Sequence, residues 1–322
     1  MSSLKEIKTR IGSVRSTLKI TSAMKLVASA KLRKAQQAVA AALPYQKTLS
    51  SVLSTLLADY ASKEHEGGSP WDVFSAGKET GSVAIVAIAS NTSLCGGFNA
   101  NAIRCVTDAL AEHPDATVYS IGRKMADAMK KAGHPSPKDF SKLSEHPAYD
   151  GAAAIAEELT EGFLSGRFSR VELVYNHFAS TASQPTVREP FLPFAANPDP
   201  SSCHFEPASC HFETASCHFE PAEKSNCHTE ASGRAYLLTA DFIVEPDAET
   251  VIAALLPKVL KLKLYSVLLD SAAAEHAART VAMQTATDNA EDILRDLTLE
   301  YNKGRQQKIT AEILDIVGGS ML

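Results

Sequence analysis

The residues best suited to chemistry by type are four Cys-His pairs in a repetitive segment between residues 198 and 231. Three copies of a heptapeptide carry the first three pairs, and a degenerate element carries the last: Cys203-His204, Cys210-His211, Cys217-His218 and Cys227-His228. Thiolate and imidazole are the ligands of tetrahedral zinc sites, so these pairs could in principle hold zinc. The surrounding Pro, Ser and Glu residues provide no apolar framework to preorganise such ligands. We therefore expect no required metal here, and a tolerated surface insert.

The second candidate is the turn SNTSLCGGFNAN at residues 90–101, which follows the apolar run VAIVAIA of a buried strand. Turns of this kind, between a strand and a helix, bind phosphates in α/β folds. Here only Gly96-Gly97 is present and no lysine follows, so neither the dinucleotide fingerprint nor the phosphate loop of nucleotide hydrolases is matched. Cys95 has no identifiable histidine or acid partner that would make it a nucleophile. The sequence favours a packing turn and predicts no bound cofactor.

Charge is distributed unevenly along the chain. The formal net charge of −5 argues against a nucleic-acid binder, yet residues 5–34 carry nine lysines and arginines and a single acid, Glu6. The first residues are charged and amphipathic, which is not the pattern of a secretory signal, and no run of about 18 apolar residues predicts a membrane span. We expect a cytoplasmic compartment.

The elements that would carry the basic segment are two long terminal helices. Leucine, isoleucine and valine recur at steps of three and four from residue 4 to 18, as in a coiled-coil seam. We expect the seam to drift afterwards to Ile20, Met24, Val27 and Leu32. Pro44 predicts a kink or a restart of this helix.

At the other end, residues 258–317 contain no proline and a single glycine, Gly304. One predicted apolar face comprises Ala286, Ala290, Ile293, Leu297, Tyr301, Ile309, Ile313 and Ile316. Gly318-Gly319 is expected to end the helix. At lengths of roughly 60 and 90 Å, both helices must extend beyond any compact domain and bury their stripes against one another. The pattern alone leaves open whether the pair is a dimerisation arm between chains or a rod within one chain.

Between the helices, strand and helix signals alternate from about residue 82 to 195. We expect strands at 83–89, 117–121 and 170–177, others near Phe191 and at 236–244, and helices at 99–111, 123–132 and 152–164. The predicted fold class is α/β plus a long antiparallel coiled coil formed by the N- and C-terminal helices. The predicted divisions are an N-terminal helix at 1–61, an α/β domain at 81–245 and a C-terminal helix at 248–322.

Three segments of this chain resemble the gamma subunit of bacterial F-type ATP synthase. ITSAMKLVASAKLRKA at 20–35 is similar to that family's most characteristic segment, and SLCGGFNAN at 93–101 to its central turn. The segment from Met283 to Gly319 resembles its C-terminal signature. The repetitive insert and Gly304, where the family usually carries alanine, depart from the pattern.

The resemblance implies a central rotor shaft that couples transmembrane proton flow to ATP synthesis or hydrolysis by rotation and is not itself catalytic. Implied partners are the alpha and beta subunits around the shaft, with the epsilon subunit and the ring of c-subunits at its foot. Residues on the two signatures are then subunit contacts: Met24, Lys25, Arg305, Gln306, Thr310 and Glu312. The basic residues Lys31 and Arg33 extend the N-terminal contact face. The implied location is peripheral, on the cytoplasmic side of the inner membrane.

Two rival interpretations remain at this stage. An α/β enzyme with a helical arm would need a phosphate loop or a convergent acid–base set, and the central segment shows neither. A basic coiled coil that binds nucleic acid would fit poorly with the acidic total and with the lack of interleaved aromatic residues.

Overall fold

Two very long helices and a four-stranded sheet make up the computed structural model, which describes residues 4–62, 74, 81–194 and 244–320. Helix α1 spans Leu4–Ser62 and helix α6 spans Ala248–Ser320. Between them lie β1 (Ser82–Ile88), α2 (Phe98–Glu112), β2 (Thr117–Ile121), α3 (Arg123–Lys131), α4 (Ser141–Glu145), α5 (Tyr149–Leu164), β3 (Phe168–Asn176) and β4 (Thr186–Leu192). The predicted fold class is confirmed: an α/β unit accompanied by an antiparallel helix pair.

The two long helices pack along each other in one continuous register. The Thr21 and Thr287 hydroxyls lie 3.1 Å apart in the seam, and Leu4 faces Gly304. The step from Leu4 to Thr21 along α1 is as long as the step from Gly304 to Thr287 along α6. The helices therefore run antiparallel with no slip between these pairs, which makes them a rod within one chain.

The predicted drift of the N-terminal seam is only partly correct, since Leu32 is buried as predicted but Ile20 and Val27 are not. Ile20 is 60% exposed and Val27 is 58% exposed, whereas the neighbouring Thr21 and Ala28 are buried. The steps of three and four that begin at Leu4 continue through Thr21, Ala28 and Leu32, because a strict heptad keeps the same face towards the partner. Between Leu18 and Leu32, the buried seam residues are the small Thr21 and Ala28.

On α6 the predicted apolar face is only partly correct. Ala290 and Leu297 are buried, but Ile293 is 48% exposed because it lies beside the seam. Ile309, Ile313 and Ile316 are exposed because they lie past Gly304, where α1 has already reached its first described residue.

The predicted restart of the N-terminal helix at Pro44 is not observed. Pro44 lies within α1, and Pro257 lies within α6. Proline leaves one backbone carbonyl unpaired a turn earlier, at Ala40 in α1, and this residue is exposed so that water can satisfy the carbonyl. α6 continues through Gly318-Gly319 to Ser320, so this glycine pair does not end the helix.

The sheet has the strand order β2-β1-β3-β4. β1 pairs in parallel with β2 and β3, and β4 is antiparallel to β3. β1 is an apolar run because helices cover both of its faces, as in other parallel sheets. The predicted strand at 117–121 has the observed bounds, and the predicted helices at 99–111, 123–132 and 152–164 correspond to α2, α3 and α5. The predicted strand at 236–244 and the repetitive insert lie outside the described residues.

One face of the sheet joins the lower part of the helix pair in a common core. Leu53 and Leu57 of α1, Leu260 and Leu264 of α6 and Phe163 of α5 are all fully buried there. Burial of such side chains stabilises a fold by about 1.5–3 kcal/mol each, so the α/β unit and the foot of the rod form one packed body. The other face is covered by α2 and α3.

Candidate functional site on the paired helices

The N-terminal candidate contacts differ in exposure along α1. Met24 and Lys25 are half-buried beside the seam, and Lys31 and Arg33 are exposed. Ile20 and Val27, in the same stretch of α1, are exposed as well. This part of the rod therefore presents a surface that is both basic and apolar, which suits contact with another protein.

The C-terminal candidates lie on the part of α6 that extends past α1. Arg305, Gln306, Thr310 and Glu312 are all exposed there. The Thr310 hydroxyl donates to the Gln306 carbonyl oxygen at 2.9 Å, and the Lys308 ammonium lies 3.7 Å from the Glu312 carboxylate. These exposed interactions within one helix contribute little to stability, so the side chains are available to a partner.

The structure does not bring the two groups of candidates together. Met24 lies close to the level of the Thr21–Thr287 pair, and Arg305 follows Gly304, about 30 Å further along α6 at 1.5 Å per residue. The rod thus carries two separate contact zones, one on its side and one at its tip.

The turn after β1 packs on α6. Cys95 and Phe98 form an apolar cluster with Ala274 and Ala278, and a Cβ at Gly96 would lie 3.8 Å from that of Ala282. In parallel α/β sheets the crevice at the carboxyl ends of the strands, where the chain order reverses, is the usual ligand site. In this chain the crevice between β1 and β3 contains α6, which accounts for the packing turn expected from the sequence.

Polar side chains of α6 hold this contact at both ends. The Asp270 carboxylate lies 2.6 Å from His177 Nδ1 and accepts a hydrogen bond from the Phe178 backbone N–H at 3.3 Å. The hydrogen bond to Asp270 raises the pKa of His177 above its ordinary value, against the opposing effect of burial. Asp270 therefore binds the carboxyl end of β3 through both a side chain and a backbone N–H.

The second polar contact involves Arg279, nine residues further along α6. Its guanidinium donates to the Thr92 hydroxyl at 2.8 Å and to the Glu275 carboxylate at 2.6 Å. Burial raises the pKa of Glu275, while Arg279 acts in the opposite direction. Burial together with the nearby Arg279 and Lys31 charges lowers the pKa of His276 to about 4. The hydrogen bond from Arg279 to Thr92 therefore connects the turn after β1 to α6.

Sequence reasoning missed Asp270, Glu275 and Arg279. A signal was present in the segment LLDSAAAEHAAR, where ionisable residues interrupt an alanine-rich helix otherwise suited to burial. Buried charges in such a context indicate specific partners. Their partners, Thr92 and His177, are far away in sequence, so the contacts could not be assigned without the fold.

Metal and membrane chemistry find no support in the described part of the chain. No group of three or more histidine, cysteine, aspartate or glutamate side chains there is placed to hold a metal ion. Within the same ranges, no helix is sufficiently long and apolar to cross a bilayer. The four Cys-His pairs lie outside these ranges.

Comparison with solved structures relates this architecture to rotary ATP synthases. The rotor of mitochondrial ATP synthase from Euglena gracilis superposes with a TM-score of 0.60 at 18% identity, covering 95% of this chain and 98% of that chain. The central stalk and c-ring structure of mitochondrial ATP synthase from Tetrahymena thermophila gives a TM-score of 0.52 at 22% identity, over 83% of this chain and 99% of the other. At these identities the likeness concerns the fold.

Comparison of sequences goes further. A family model described as ATP synthase matches residues 3–321. Proteins named ATP synthase gamma chain from Phocaeicola vulgatus and Bacteroides thetaiotaomicron are 48% and 43% identical, each over the whole of both chains. A similar protein from Flavobacterium johnsoniae is 39% identical over 99% of this chain and 98% of its own. The chain therefore belongs to the ATP synthase gamma-chain family.

Proposed function

We propose that this chain is the central rotor shaft of an F-type ATP synthase. The single observation that supports this most is the unbroken antiparallel pairing of α1 and α6, packed at one end into the α/β unit. A rod of two paired helices resists bending and twisting better than one helix does, because lateral contacts oppose the sliding of one helix past the other. The chain itself carries out no ATP chemistry.

The proposed partners follow from the two ends of the rod. The alpha and beta subunits would surround the paired helices and the tip, whereas the epsilon subunit and the c-ring would bind near the α/β unit. We retain the divisions at 1–61, 81–245 and 248–322 as the shaft helix, the foot domain and the second shaft helix. Membrane association would then be indirect and peripheral, on the cytoplasmic side of the inner membrane.

We propose that the two contact zones have different roles. Met24, Lys25, Lys31 and Arg33 would meet acidic loops of the catalytic subunits from the side of the rod. Exposed ion pairs contribute about 0–1 kcal/mol each and are weakened by salt. Contacts of this strength can be broken and remade at each rotational step.

The tip residues Arg305, Gln306, Thr310 and Glu312 would contact the catch loop of the catalytic subunits. Here α6 exposes polar and apolar side chains on all its sides. A single exposed helix can present a different face to each of several surrounding subunits. Different contacts with identical subunits bias them towards different conformations, which is the basis of coupling rotation to nucleotide affinity.

Co-expression with the alpha and beta subunits of the same organism tests the proposal. We expect a complex that contains one copy of this chain, and ATPase activity that falls when the chain is omitted. ATP-driven rotation of a probe attached to the exposed residue Lys130 should then be visible. A purified chain that hydrolyses ATP alone, or alpha and beta subunits that retain full activity without it, would contradict the proposal.

A second measurement examines the contact zones separately. Lys25→Ala with Arg33→Ala should weaken assembly in a salt-dependent manner, because charge is lost from the side of the rod. Gln306→Ala with Thr310→Ala should alter turnover with little effect of salt, because no net charge changes. The matched control is Arg104→Ala on α2, a cation that lies away from both zones.

A further inference from the structure

We propose that Asp270 and Arg279 are positioning residues that hold the α/β domain at a fixed angle about the shaft, so that torque applied at the foot reaches the paired helices. This rests on the shaft function proposed above. The domain and α6 meet over two different kinds of surface, and the need for such anchors arises from the difference between them.

On the N-terminal side of Asp270, the surface that α6 presents to the domain consists of large interlocking side chains. Leu256, Leu260 and Leu264 of α6 are fully buried against the sheet and α5. Side chains of this size resist sliding because any shift would open voids in a close-packed core. This lower part of the joint, which also carries the Lys261–Glu157 and Lys263–Glu189 ion pairs, resists sliding without the two anchors.

On the C-terminal side of Asp270, the surface that α6 presents to the domain consists of small side chains. Ala274 and Ala278 are the α6 residues in the cluster with Cys95 and Phe98, and Ala282 lies near Gly96. Apolar contact is not directional, and methyl groups interlock poorly. Such a surface holds the turn close to the helix but offers little resistance when the helix rolls.

The two anchors lie on opposite edges of this alanine surface. Successive residues of an α-helix are about 100° apart, so Asp270 and Arg279 point in directions about 180° apart, with Ala274 and Ala278 between them. Asp270 binds the end of β3 on one edge, and Arg279 binds Thr92 on the other. Rolling in either direction would stretch one of the two hydrogen bonds, whose strength falls steeply with distance and angle.

Each anchor is itself held in place. Glu275 lies one turn before Arg279 and accepts from its guanidinium, and both side chains are only 12% exposed. Asp270 contacts both a side chain and a backbone N–H of the strand end. Side chains fixed by two partners lose little further freedom under load, as a mechanical joint requires.

The test uses the complete, membrane-reconstituted ATP synthase carrying Asp270→Ala and Arg279→Ala together. We expect assembly and ATP hydrolysis to persist, whereas the number of protons pumped per ATP falls by at least about twofold, as loss of both anchors lets the domain yield under load. Asp292→Ala with Arg295→Ala is the matched control, because it removes an exposed pair of the same residue types from the same helix. The control should pump as the unaltered enzyme does.

Rescue separates positioning from general damage. Gly96→Cys, which is strained at φ +58°, and Ala282→Cys would place two Cβ atoms about as far apart as in a disulfide. In the Asp270→Ala, Arg279→Ala background, oxidation of this cysteine pair should restore the pumping ratio, and reduction should abolish it again. Gly96→Cys alone, oxidised in the same way, controls for the new thiol and for oxidation of native cysteines.

The outcomes are distinguishable. An unchanged pumping ratio in the anchor variant, or no rescue once the cross-link has formed, would overturn the role of Asp270 and Arg279. Should the anchor variant fail to assemble, Asp270→Asn removes the charge of one anchor and Thr92→Val removes the hydroxyl acceptor of the other. Each change has a lower structural cost and must lower the ratio by a smaller step. Failure of the unaltered complex to pump at all would instead refute the shaft function.

Discussion

The hydroxyl groups of Thr21 and Thr287 lie 3.1 Å apart in the seam between the long helices, where both side chains are buried. Each hydroxyl also lies within hydrogen-bonding distance of a carbonyl oxygen in its own helix, that of Leu18 for Thr21 and that of Met283 for Thr287. A buried polar pair of this kind stabilises a coiled coil less than apolar residues do, but it favours one register.

Replacement of this pair by valine should therefore stabilise the isolated chain. Thr21→Val with Thr287→Val is expected to raise the free energy of unfolding by about 1 kcal/mol, because the shape is kept and no buried donor is left unpaired. Urea unfolding of the purified chain measures this. A loss of more than about 1 kcal/mol would show that the hydroxyls contribute to stability as well as to register.

Gly304 provides a second test of the helix pair. Gly304→Ala should stabilise α6 by up to about 1 kcal/mol through helix propensity. The new Cβ would come within 3.0 Å of Leu4 Cδ2, which is the end of a flexible side chain at the start of α1 and can move aside. Gly12→Ala is the matched control, because nothing lies within 4 Å of a Cβ there. A gain at Gly12 combined with a loss at Gly304 would show that Leu4 is held rigidly.

Gly122 connects β2 to α3 and should not tolerate a side chain. Its φ is +105°, and a Cβ would lie 2.0 Å from the Ala89 carbonyl oxygen. Gly122→Ala should lower the free energy of unfolding by about 3 kcal/mol or more, since both backbone strain and a clash with backbone are involved. Gly133→Ala, at φ +89° with open space, isolates the strain alone and should cost about 1–2 kcal/mol.

Stability should fall on mild acidification because of His276. Its folded pKa of about 4 lies below the ordinary 6.5, so between these values the unfolded chain binds a proton that the folded chain does not. The stability contributed is present above pH 6.5 and is lost as the pH falls towards 4, by about 1 kcal/mol between pH 7 and 5 after allowance for solvent screening. His276→Gln should reduce this difference in thermal unfolding, and His146→Gln at an exposed site is the control. An equal pH dependence in both variants would refute the assignment.

Removal of the repetitive insert should have little effect. Deletion of residues 198–231 is expected to leave assembly and ATPase activity nearly unchanged, because the composition of the segment provides little apolar surface for a core. Measurement of the ATPase activity of the complex before and after treatment with a chelator tests whether a bound metal is needed. Loss of folding on deletion, or loss of activity on chelation, would show that the Cys-His pairs are needed.

Much of the fold could be predicted because local patterns are strong where packing is regular. The bounds of β2 and the existence of α2, α3 and α5 followed from apolar runs and turn residues. The position of the seam after Leu18 did not, since apolar character favoured Ile20 and Val27 over Thr21 and Ala28. The spacing of the heptad decides which face meets the partner, and residue type comes second.

Pro44 shows a further limit of local reasoning. A proline inside a helix costs about 3 kcal/mol, but the leucines from Leu49 onwards bury enough apolar surface to outweigh it. The contact residues were identified by resemblance alone, and their roles stay predictions. Asp270 and Arg279 were missed because their partners are distant in sequence and are set by the fold.

The unbroken register between α1 and α6 also restricts how genes of this family can change in length. A single inserted residue in either helix would turn every later seam position away from its partner, and only a matched change in the opposite helix or a whole heptad would restore the fit. A part of the connection between the helices that lies outside both the seam and the sheet carries no such restriction. The duplicated heptapeptide of this chain falls in that connection, where natural selection can tolerate added length.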